Sequence, residues 1–126
     1  MSRGLQTVLP LVLMVLAGCG GGVTDEALAH RSLSEIADEV AELDVGELEK
    51  QARAYQQAIH RQREALERLR AAKEKLDYTE RSGPDARRMD DEMRELSRFI
   101  SRLIQRRQFY VNKLHQRGVS TDEFEQ

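Results

Sequence analysis

Tryptophan is absent from the 126 residues, cysteine occurs once, proline twice, and tyrosine and phenylalanine three times each. One cysteine cannot close an internal disulfide, so packing alone must hold the fold. With proline only at Pro10 and Pro84, long stretches are free of helix breakers. A basic excess is missing as well: 20 Lys and Arg stand against 22 Asp and Glu, which argues against nucleic acid as a partner. The longest apolar run, Val8 to Leu16, falls short of the roughly 20 residues a membrane-spanning helix needs.

That run follows Arg3 and ends in the small residues Ala17 and Gly18, the layout of a secretory leader. The tetrad Leu16-Ala17-Gly18-Cys19 resembles the lipobox of bacterial lipoproteins. The resemblance implies cleavage between Gly18 and Cys19, a diacylglyceryl group on the Cys19 sulfur and an N-acyl chain such as palmitate on the new N-terminus. No other cofactor is expected. Each buried acyl methylene contributes about 0.8 kcal/mol, so two or three chains anchor a protein stably where one does not. Gly20 follows the cysteine where retention at the inner membrane would call for Asp, which implies the cell envelope and the periplasmic face of the outer membrane. Residues 1–18 thus read as a signal peptide and residues 19–23 as the lipidated cysteine with a glycine tether. Residues 24–118 form a helical domain, and residues 119–126 a tail that either starts another turn or frays.

Removal of residues 1–18 takes away Arg3 and no other charge, leaving 19 basic and 22 acidic residues in a region dense in Ala, Glu, Arg, Leu and Gln. Such a composition goes with long helices. From Leu48 the spacing alternates four and three through Ala52, Tyr55, Ile59, Gln62, Leu66, Leu69, Lys73 and Leu76. A second heptad seam runs Met89, Met93, Leu96, Ile100, Leu103, Arg107, Tyr110, Leu114. Between them Ser82-Gly83-Pro84-Asp85 is the strongest break. It predicts one helix ending near Thr79 to Arg81, another starting near Pro84, and a left-handed cap at Gly118. A short loop between equal seams demands antiparallel neighbours, with Tyr55 opposite Tyr110 and Leu69 opposite Leu96.

The expected fold class is therefore all-α, an antiparallel, coiled-coil-like helical hairpin with a shorter N-terminal helix over Thr24 to Leu43. Leu33, Ile36, Val40 and Leu43 form one stripe on that helix. Asp44 and Glu47 have the spacing of a helix start. A turn there folds the first helix back into a three-helix bundle; without it, one helix continues with a phase shift. Ala58, Ala65, Ala72, Phe99, Ile104 and Val111 flank the seams and ask for a further packing surface, from the first helix or from a second chain.

Arg94, Arg98, Arg102 and Arg106 recur every four residues and form a candidate anion- or partner-binding stripe, opposed by a reading as a solvated face neutralised by neighbouring glutamates. His30, His60 and His115 are too far apart in the hairpin to make a metal site. Gln62, Lys73 and Arg107 interrupt the seams. Gln62 and Arg107 are close enough to share a polar layer, while Lys73 is expected to snorkel. No catalytic arrangement, phosphate loop or small-molecule site is legible, so an enzyme is not expected. The function expected is that of a lipid-anchored scaffold or adaptor for an envelope protein or for a second copy. The alternative is a module contacting anionic lipid or peptidoglycan through the arginine stripe.

Overall fold

The computed structural model describes residues 23–125. The leader, Gly18, Cys19 and the glycine tether lie outside the described residues. Four α-helices follow one another: α1 (Asp25–His30), α2 (Leu33–Val40), α3 (Val45–Glu74) and α4 (Pro84–Gln116), with 3-10 turns at Glu80–Ser82 and Asp122–Phe124. Helices α3 and α4 pack as the antiparallel hairpin, and α1 and α2 form a shorter N-terminal arm against it.

Each boundary has a local cause. Thr24 accepts from the Ala27 amide at 3.0 Å, Ser32 from Glu35 at 3.4 Å and Asp44 from Glu47 at 2.8 Å, so each of the first three helices starts on a side-chain cap. The expected single helix over Thr24 to Leu43 is in fact two, because Ser32 with Glu35 three residues on starts a new helix after Arg31. The turn at Asp44 is real, and the arm folds back rather than continuing into α3. Pro84 occupies the first turn of α4. Gly118 sits at φ 77°, with its amide donating to the His115 carbonyl and that of Val119 to the Leu114 carbonyl, both at 3.0 Å. That pair of bonds is a Schellman closure, and the positive φ there suits glycine alone.

Helix α3 stops at Glu74, short of the expected Thr79 to Arg81. The Glu80 carboxylate accepts from the Asp77 amide at 3.1 Å, and Arg81 turns back to donate to the carbonyls of Leu76 and Glu74. These side chains satisfy the helix end that another turn would have satisfied. The tail is not frayed: Phe124 is 2 % exposed and joins the core, and Glu123 is bridged to Arg53 at 3.2 Å.

The register read from the seams holds, since the Tyr55 and Tyr110 rings stack with centroids 5.7 Å apart. Burial along the hairpin is uneven. Leu48, Ala52, Tyr55, Ala58 and Ile59 of α3 and Ile100, Leu103, Tyr110, Val111 and Leu114 of α4 are buried together with Leu28, Ile36 and Val40 of the arm. From Gln62 to the end of α3 no residue is fully buried, and on α4 before Ile100 only Ala86 is. The molecule has three layers at its base and two toward its tip.

Candidate functional site

The arm is fastened by a polar clasp above the stacked tyrosines. Arg31, in the joint between α1 and α2, donates to the Tyr110 hydroxyl at 2.8 Å and to both Glu39 carboxylate oxygens at 3.0 and 3.1 Å. Tyr110 donates to Glu39 at 2.8 Å, and Tyr55 to the Leu28 carbonyl at 3.0 Å. Burial alone would lower the Arg31 pKa, but the Glu39 carboxylate outweighs it and holds the guanidinium above its usual range. Burial, then the bond to Glu39, raises the Tyr110 phenol, and burial raises that of Tyr55. Farther up, Arg61 grips the Asp25 carboxylate with Nε at 3.2 Å and Nη2 at 2.6 Å, and Gln62 adds a bond at 2.9 Å. The Arg61 bonds hold Asp25 below the ordinary carboxylate range.

Gln62 and Arg107 therefore do not share a layer: Gln62 serves the arm, and Arg107 donates from Nη1 to Gln56. Arg107 is 6 % exposed, and its Nε meets no acceptor among the described residues. Burial and then the neighbouring Arg63 cation depress its pKa. Lys73 does not simply extend outward; it crosses the hairpin to Asp90 at 2.5 Å.

The arginine stripe divides into distinct roles. Arg94 pairs with Asp91 at 2.8 Å and Arg98 with Glu95 at 2.6 Å, each one turn away on α4. Arg106 turns inward, giving Nε to the Arg31 carbonyl at 2.9 Å and Nη1 to the Arg102 carbonyl at 3.1 Å. Arg102 instead lines a shallow cleft of about 420 Å³ with Asp25, Glu95, Leu96 and Phe99. His60 lies 3.5 Å from Glu64 on the surface, and no group of three or more potential metal ligands occurs among the described residues.

Beyond the clasp, the two-layer part of the hairpin leaves Leu66, Leu69, Leu76, Met89, Met93 and Leu96 half-buried along one continuous seam. A groove of about 500 Å³ opens there, between Arg70, Lys73, Arg81 and Met93. Two helices cover only a narrow stripe of each other, so the flanking Ala65 and Ala72 remain half-exposed. Sequence reasoning found the seam and the tyrosine pair but missed Arg31, Glu39 and Asp25, whose roles arise only once the arm folds back. No protein family, no curated protein and no solved structure matches the chain.

Proposed function

We propose that this chain is a lipid-anchored scaffold or adaptor of the cell envelope, held by acyl groups on Cys19 at the periplasmic face of the outer membrane, and that it works by docking rather than by catalysis. The observation that carries the docking part is the change from three layers to two along one hairpin. The base is packed like a small domain, whereas the seam from Leu66 to Leu96 keeps apolar side chains half-exposed in a form that another helix can cover. The anchor rests on the Leu16-Ala17-Gly18-Cys19 resemblance, and no helix among the described residues is long and apolar enough to cross a membrane. The occupant is an envelope protein or a second copy of the chain.

Photo-crosslinking residues placed at Leu69 and Met93 in intact cells test this reading. A defined adduct from each position, with that from Met93 abolished by Leu69→Glu, is the expected result. Equal, diffuse labelling from Leu69 and from an exposed control such as Ser101 would discard the docking role. The arginine stripe supports the second reading, direct contact with anionic lipid or peptidoglycan, less well, because Arg94 and Arg98 are already neutralised by their own helix. Sedimentation with purified sacculi that weakens with salt would favour that reading instead.

A further inference from the structure

Asp25 meets Arg61 and Gln62, close to the middle of α3, and α1 and α2 then descend toward the base, where Arg117 donates to the Leu43 carbonyl at 2.6 Å. The described chain thus begins at the waist of the hairpin, not at an end. If Cys19 is the anchor point, three glycines separate it from Val23, four Cα-to-Cα steps with a reach of at most about 14 Å. The waist is then confined to the neighbourhood of the lipid headgroups.

At that waist lies a cleft of about 340 Å³. Its apolar lining is Leu28 and Ala54, with Val23 at the rim and 55 % exposed. Its polar lining is Lys50, Arg61, Gln51 and Gln57: two cations, two amides and no carboxylate. Lys50 makes no ion pair among the described residues, and Arg61 spends Nε and Nη2 on Asp25, leaving Nη1. Eleven residues, about 16 Å of helix axis, separate Lys50 from Arg61, so the two cations stand at opposite ends of the cleft; each end can meet a phosphate oxyanion, and the apolar patch between them suits the glycerol and first methylenes of a lipid.

We propose that this cleft seats the phosphate of an anionic phospholipid headgroup, so that the anchored protein rests side-on with α1 and the middle of α3 toward the bilayer. The inference depends on the lipid-anchor reading and adds a surface and an orientation to it. The arginine stripe is less suited to the task, since half of it is internally paired, whereas Lys50 is uncommitted.

The test uses the full lipid-modified protein in phosphatidylglycerol vesicles carrying a headgroup quencher. A fluorophore is placed on Ala27→Cys, next to Leu28 on α1, or on Ser101→Cys, on the exposed face of α4; mass spectrometry first establishes whether Cys19 is acylated. Preferential quenching at the α1 position is expected, falling about fivefold or more with Lys50→Glu, since each basic residue near an anionic surface shifts partition by about that factor. Phosphatidylcholine vesicles should show little preference. Equal quenching at both positions on acylated protein, or quenching indifferent to Lys50→Glu, overturns the cleft while leaving the anchor intact. A free thiol at Cys19 overturns the anchor itself and this inference with it. If inorganic phosphate without vesicles shifts the α1 label in a Lys50-dependent way while vesicles do not, the ligand is a soluble phosphate and the membrane assignment fails.

Discussion

Arg107 is a buried cation in the hairpin seam. It occupies a seam position where neighbouring layers hold Leu103, Tyr110 and Leu114, is almost fully buried, has no carboxylate partner among the described residues, and leaves Nε without an acceptor. An orphaned buried donor costs about 1–3 kcal/mol, and replacing a buried charge by an apolar chain of similar length is often stabilising. Arg107→Met should therefore raise stability by about 1 kcal/mol or more, read as an upward shift in the thermal midpoint by circular dichroism. A clear fall in the midpoint would refute that cost and show that the bond to Gln56 outweighs it. The polar interruption at 107 was legible from the heptad spacing, but its partner was not. Nearly two turns of α3 separate Gln56 from Gln62, and the arm draws Gln62 to Asp25 while Gln56 meets the arginine.

At the scale of elements, the arm is the part that chemistry can release. Helix α1 has six residues and α2 has eight, too few to be stable alone in water, so their order depends on docking. Asp25 contributes to that docking as a carboxylate. Because its pKa is lower when folded than the unfolded value of about 3.9, its stabilisation is complete above that value and is lost as pH falls through the folded value. Amide exchange in α1 should therefore accelerate below about pH 4 while exchange in the base of α3 and α4 stays slow, and Asp25→Asn should remove most of that pH dependence. Acid-insensitive exchange in the unaltered protein would refute the assignment. The two long helices could be read from periodicity because burial repeats along them. The break at Ser32 was also written in the sequence, as Ser32 with Glu35 three positions later, yet the apolar stripe from Leu33 to Leu43 pointed to one continuous helix. The early stop of α3 had no glycine or proline to mark it and rests on Glu80 and Arg81 reaching back.

For the whole molecule, the uneven layering predicts uneven stability. Leu103 is fully buried at the three-layer base, whereas Leu69 is half-exposed in the two-layer part. Leu103→Ala should cost about 2–5 kcal/mol, as fully packed leucines do, and Leu69→Ala clearly less. Denaturant unfolding of the two variants checks the difference; equal costs would mean that the tip seam is covered in the isolated protein. Charge is as uneven as packing. Residues 23–44 hold seven acids and Arg31 as their only Lys or Arg, whereas residues 45–126 hold 15 acids against 18 Lys and Arg. The overall balance of 20 to 22 conceals this division, which is visible only once the arm is known to be a separate piece lying on the hairpin.

The point at which the chain joins the hairpin has a mechanical consequence. Under the lipid anchor proposed above, the molecule would hang as a beam held near its middle: about 20 Å of α3 projects past Arg61 toward the tip, and a comparable length runs back to the base. A binding event that drew the tip of a protein so anchored toward the bilayer would lift the base by a similar amount. On the proposed anchor, contact at one extremity would register as displacement at the other, with the entry point at Val23 as the fulcrum.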